Sequence, residues 1–138
     1  MKLELWVKDK WSIFGLVAEN ATPSTELDEL AQQNGSQVDG LFVLLDNIAK
    51  QQEGPKVLND SICHVIDRDH GIWQFSKGRI RLLWFYDEGR CIICTQAFLK
   101  KSQTTPKDII KKAIRLRTDY FTVKGENGGR IEVITTEE

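Results

Sequence analysis

"GIWQFSKGRIRLLWFYDEGRCIICTQAFLK", residues 71–100, decides how the rest of the chain is read. Apolar residues tend to alternate with polar ones within "GIWQFSKG", "RIRLLWFYDEGR" and "CIICTQAFLK", and Lys77-Gly78 and Asp87-Glu88-Gly89 stand between them. Runs of aromatic and β-branched residues separated by glycine turns form antiparallel hairpins. A three-stranded antiparallel meander is therefore expected at the centre of the fold.

Working outward, "LELWVKDKWSIFGLVAE" has two apolar runs around Lys8, Asp9 and Lys10, which predicts an N-terminal hairpin within residues 1–20. Thr25 with Asp28, and Ser36 with Asp39, resemble capping boxes and predict two helices before the meander. In the second, Val38, Leu41, Phe42, Leu45 and Ile48 recur at helical spacing, so that face packs on the sheet, and Gly54-Pro55 stops it. After the meander, Thr105 as N-cap, Pro106 as first helical residue and Asp108 two further on open another helix. Ile109, Ile110, Ala113 and Ile114 give it a buried face to about Asp119. The tail, residues 121–138, is open between a short hairpin around "ENGG" and partial disorder. The expected class is α+β: an antiparallel sheet, made of the meander and the hairpin, packed by helices in one domain over residues 1–138.

A chain of 138 residues can bury a core without disulfides or a structural metal. No apolar run approaches the roughly 20 residues a membrane span needs, and "MKLELWVKDKWSIF" lacks the apolar block of a secretory signal. Three cysteines, an odd number, suit a reducing compartment. A cytoplasmic protein without membrane contact is expected.

Net charge hides an asymmetry. The total is −1, yet residues 1–70 carry six Lys/Arg against twelve Asp/Glu, residues 71–117 eleven against three, and residues 118–138 two against five. A segment at net +8 between acidic flanks suits a polyanion, although lysines on one helix are also the ordinary solvated face of that helix. The other chemistry-bearing groups point elsewhere. Cys91 and Cys94 have the spacing of redox or zinc motifs, but on a strand they face opposite sides and read as small buried hydrophobes. "CHVIDRDH", with Cys63, His64, Asp67, Asp69 and His70, has metal-ligand types but no completing set. Phosphate loops, nucleophile elbows and HExxH sequences do not occur, so no metal or cofactor is expected.

What remains is cationic: Lys77, Arg79, Arg81, Lys100, Lys101, Lys107, Lys111 and Lys112. Arg79 and Arg81 are two apart on one strand and so share a face, and Lys100 and Lys101 end the neighbouring strand, so the four can converge on one rim. Cations around a phosphodiester bind it and stabilise the added negative charge of its transition state, which makes metal-free RNA cleavage chemically available. Trp73, Trp84 and Phe98 are aromatic groups for stacking bases or for packing the core.

Residues 72–120, above all "FYDEGR" and "AFLKKSQTTP", resemble the RelE/ParE toxin superfamily in its HigB-like, phage-derived branch. That pattern has a strand ending in Arg, a glycine turn, an Arg-led apolar strand, a D-x-GR turn, a strand ending HGF-x-KK, then TQKTP and a helix closing in DY. The resemblance implies a RelE-like fold and the toxin of a type II toxin–antitoxin system. It also implies a ribosome-dependent mRNA endoribonuclease (mRNA interferase) that attacks with the ribose 2′-OH and uses no metal. Mapped by position, Lys100, Lys101 and Arg81, with Arg79, carry catalysis, and Lys77, Lys107, Lys111 and Lys112 bind RNA. The implied partners are mRNA on the ribosome and a cognate antitoxin of helix-turn-helix type. Asp119 and Tyr120 match more weakly and also read as closing the helix on the sheet. Two positions depart: Ser76 stands where the family often has Arg, and Gln96 where it often has His. Those departures keep open a gyrase-directed ParE-like homologue, or a non-catalytic one that binds nucleic acid or a protein. A plain interaction module using the edge of the N-terminal hairpin is a third reading.

Overall fold

The structure is a computed structural model, described here for residues 1–18, 21–126 and 130–135. The meander forms where the alternation places it: β4 (Ile72–Lys77), β5 (Ile80–Asp87) and β6 (Cys91–Leu99) pair antiparallel in sequence order. Glycines with left-handed backbone make both turns, Gly78 at φ +57° and Gly89 at φ +77°. A strand not anticipated, β3 (Cys63–Asp67), adds antiparallel to the outer edge of β4.

The N-terminal hairpin, β1 (Lys2–Lys8) with β2 (Ser12–Val17), extends the sheet at its other side. The sheet is mixed rather than wholly antiparallel as expected, because β2 joins β6 in parallel through Ser12–Gly15 and Cys91–Cys94. Parallel neighbours need a crossover, and the helix plus three strands between β2 and β6 supply it. β7 (Glu132–Ile134) then adds parallel to β1, giving seven strands in the order β3-β4-β5-β6-β2-β1-β7. Part of the hairpin expected around "ENGG", residues 127–129, lies outside the described residues, as do residues 19–20 at the end of the N-terminal hairpin.

The two helices expected before the meander are one kinked element, α1 (Pro23–Ala49), whose backbone leaves helical geometry at Asn34 (φ −133°, ψ 40°). The Asn34 side-chain amide donates to the Leu30 carbonyl there, 3.3 Å away. Buried Leu27, Val38, Leu41, Leu45 and Ile48 continue one face through the kink, so packing holds the two halves together. Its cap is also three residues earlier than expected: Thr22 accepts from the Thr25 N–H at 3.2 Å while Thr25 accepts from the Thr22 N–H at 3.1 Å, with Pro23 in the first turn. A short 3-10 turn, Gly54–Val57, follows.

After the meander, α2 (Lys107–Gly125) runs past Asp119, with Pro106 rather than Thr105 at its N-cap. The Thr105 hydroxyl is drawn off instead, donating to Gln74 Oε1 at 2.7 Å. The helices pack on opposite faces of the sheet. Ile13, Phe75, Ile80, Leu82, Trp84, Ile92, Cys94 and Ala97 face α1, whereas Leu83, Phe85 and Ile93 meet α2 through Ala113, Leu116 and Tyr120. Cys91 packs with the α2 side and Cys94 with the α1 side, on opposite faces as their spacing requires. A bulge in β6 at Thr95, opposite the Leu83/Trp84 step, resets the alternation so that Gln96 and Phe98 face α2. Among the described residues no helix is long and apolar enough to cross a membrane.

Candidate functional site

Strands β3 to β6 present their α2 side to a cleft of about 990 Å³, roofed by residues 102–106 and the first turn of α2. Successive strands supply polar residues along its floor: His64 from β3, Gln74 and Ser76 from β4, Arg81 from β5, then Lys100 and Lys101 beyond β6. Ser76 pairs in register with Arg81, and Arg81 with Phe98.

Arg81 is half-buried, and that burial lowers its pKa from the ordinary arginine value. One nitrogen is committed: Nη1 donates to the Gly78 carbonyl at 2.8 Å and to the Ile80 carbonyl at 3.0 Å. The fork is thereby held while its other N–H groups stay available to an anion.

The eight cations do not all converge. Arg81, Lys100 and Lys101 line the cleft. Arg79 sits in the β4–β5 turn, one residue before the strand on which it was expected, and is not among the residues that line the cleft. Its Nη2 donates to the Lys100 carbonyl at 2.9 Å, its carbonyl accepts from the Lys100 N–H at 2.7 Å, and its own N–H donates to Gln37 Oε1 at 2.6 Å. Arg79 therefore fixes where β6 ends and where Lys100 begins. Lys77 lies on the other side of the sheet, its stem over Gly40 of α1, where an added Cβ would come within 2.6 Å of Lys77 Cε. Lys107 and Lys111 are exposed on α2 beside the cleft. Lys112 is half-buried near Glu26, whose carboxyl is raised by burial, against the lowering effects of the Ala97 N–H and the Lys112 charge. Glu26 Oε1 accepts the Ala97 N–H at 2.9 Å and so closes the edge of β6 that β2 leaves unpaired.

The two departures behave differently. Ser76 lines the cleft, but Gln96 is buried with its amide donating to the Ile109 carbonyl at 3.0 Å. Of the three aromatics, Trp84 is fully buried, stacked on Phe75 with centroids 4.7 Å apart, and Trp73 stacks on Trp84 at 5.6 Å. Only Phe98 of the three lines the cleft. His64 was passed over because it read as part of the "CHVIDRDH" cluster. The structure divides that cluster: Cys63 packs toward α1, where burial pushes its thiol up to about 12, His64 enters the cleft, and Asp67 and His70 bond each other at 3.0 Å in the β3–β4 turn. The alternation Cys63-His64-Val65-Ile66 was the signal that would have placed His64 on a strand, facing away from Cys63.

At the opposite end of β5, Asp87 accepts from the Tyr120 hydroxyl at 2.6 Å, from the Lys124 ammonium at 2.8 and 2.9 Å, and from the Glu88 N–H at 2.7 Å. Burial alone would raise the Asp87 carboxyl, but these donors together hold it below the ordinary carboxylate value. Tyr120 thus closes α2 on the sheet, and Asp119 pairs loosely with Arg115 at 4.0 Å on the outer surface of the helix.

The family model described as "Phage derived protein Gp49-like (DUF891)" matches residues 26–118, which take in β3 to β6 and the whole lining of the cleft. No curated protein matches the chain.

Proposed function

The chain belongs to the Gp49-like phage-derived family, and from that membership and the cleft we propose that it is the toxin of a type II toxin–antitoxin pair, a RelE/HigB-like endoribonuclease acting on mRNA in the ribosome. The observation that carries this reading is the meeting of Arg81, Lys100 and Lys101 in one cleft. A phosphodiester seated there meets fixed positive charge, while the ribose 2′-OH attacks the adjacent phosphorus and leaves a 2′,3′-cyclic phosphate. The Arg81 fork stabilises the charge that develops on the phosphate oxygens, and Lys100 or Lys101 moves a proton. Arg79 is a positioning residue through its bonds to Lys100. Lys107 and Lys111 add longer-range attraction for the RNA backbone. The protein works in the cytoplasm, and its antitoxin is a small helix-turn-helix protein encoded beside it.

The test is expression of the chain alone, with and without the neighbouring gene, followed by mapping of mRNA ends. Growth arrest, relief by the neighbour and cyclic-phosphate ends at codon positions are the expected results. A second reading, a ParE-like gyrase inhibitor or a binding-only homologue, is favoured by one observation: Gln96 is tied to Ile109 and cannot stand in for the missing histidine. Inhibition of gyrase supercoiling, or growth arrest that survives Arg81→Ala, would install that reading instead.

A further inference from the structure

We propose that His64 is the catalytic base of the cleft, taking the proton from the attacking 2′-OH; this rests on the endoribonuclease reading above. Three observations lead to it. First, His64 lines the cleft, and neither of its ring nitrogens makes a hydrogen bond among the described residues, Nδ1 being buried without a partner. An imidazole retained for structure normally has its buried nitrogen bonded.

Second, the side chains that share the sheet floor with His64 are committed or unsuited. Gln96 cannot titrate and is tied to Ile109, and Gln74 is held by Thr105. Arginine does not release its proton, and a lysine is a poor base.

Third, the strand order sets His64 and the two lysines on opposite sides of Arg81, the arrangement that an in-line displacement uses. Neighbouring strands are about 4.8 Å apart. His64 on β3 and Lys100 and Lys101 after β6 therefore stand at opposite ends of the floor, with Ser76 and Arg81 between them. With the phosphate on Arg81, the bond from the 2′-oxygen to phosphorus forms on the His64 side as His64 accepts the 2′-OH proton. The bond from phosphorus to the 5′-oxygen breaks on the lysine side, and Lys100 or Lys101 gives a proton to that leaving oxygen. Proton uptake and release balance, and no further reactant is needed.

Among the described residues, the charged groups that line the cleft or the adjoining pocket with His64 are Asp60 from the preceding loop, Arg68 beyond β3, Arg81, Lys100 and Lys101 across the floor, and Asp108 from α2.

The experiment is single-turnover cleavage on programmed ribosomes by the full chain, by His64→Ala and by His64→Gln, each checked for an unchanged melting temperature. Loss of a general base predicts a rate lower by about 10²- to 10⁴-fold with ribosome binding retained. The imidazole limb of the pH–rate profile should vanish in both His64 variants and persist in Arg81→Ala, a split that a merely structural role for His64 would not produce. If wild type cleaves and both variants cleave as fast with the same pH profile, His64 is not the base while the endoribonuclease reading stands. If wild type does not cleave, both fall together.

Discussion

The two ends of strand β5 carry charged residues of the same recognisable stretch of sequence, and they are built in opposite ways. At Asp87 every acceptor is answered: a hydroxyl, an ammonium and a backbone N–H surround a side chain that is 7% exposed. At Arg81, among the described residues, one nitrogen is held, by main-chain carbonyls, and the side chain lines a cleft. Sequence resemblance weights the two ends alike. Saturation of hydrogen bonds separates them: the satisfied end clamps α2 to the sheet, and the open end lines the cleft.

The sharpest way to break this contrast is to truncate each end. Arg81→Ala is expected to lower single-turnover cleavage by roughly 2 to 4 kcal/mol, about 30- to 1,000-fold, with little change in denaturant midpoint. Asp87→Ala should do the reverse, costing about 1–3 kcal/mol of stability by leaving Tyr120 and Lys124 without their acceptor, while folded molecules keep their rate. A variant at Asp87 that kills activity without loss of stability would overturn the division.

Acid titration sharpens the same point. The folded Asp87 carboxyl lies below its ordinary value, so its contribution is fully present above the unfolded value near 3.9 and is lost as pH falls from there through the folded value. Equilibrium unfolding followed from pH 6 downward should show that loss in wild type and a smaller one in Asp87→Asn. Tyr120→Phe, which removes one donor, should cost about 0.5–1.5 kcal/mol by the same unfolding measurement.

The smallest effect is reserved for the outer face of α2. Lys107→Glu with Lys111→Glu should leave the melting temperature in place, weaken ribosome binding several-fold and lower the salt-dependence slope by about one for each phosphate that is no longer neutralised. Lys112 is left out of that pair because Glu26 lies close by, and reversing its charge would set two carboxylates together.

Much of the fold was legible because its signals are local. Two-residue alternation with glycine turns fixes the meander, and the two apolar runs around Lys8–Lys10 fix the N-terminal hairpin. What escaped depends on distant partners. The parallel pairing of β2 with β6 joins residues about 80 positions apart, and no local pattern encodes it. Thr105 fails to cap α2 because Gln74, far away in sequence, competes for its hydroxyl. The break expected between the two helices survives only as a kink at Asn34 because buried residues on both sides share one core. In the cleft, strand spacing was enough to group Arg81 with Lys100 and Lys101. Arg79 was misplaced because the turn extends one residue further than assumed, and His64 because its residue type drew attention before its alternation did.

The bulge at Thr95 makes β6 a strand in two phases. Cys94 and Ala97, three residues apart, both point toward α1, which an unbroken strand forbids. Deleting Thr95 would force the halves into a common phase, and one of them would have to turn over. Either Phe98 leaves the cleft for the core, or Cys91 and Ile93 abandon α2. The cleft side of this sheet thus depends on a count of residues as much as on their chemistry, and a one-residue deletion in the middle of β6 should be far less tolerable than most single substitutions there.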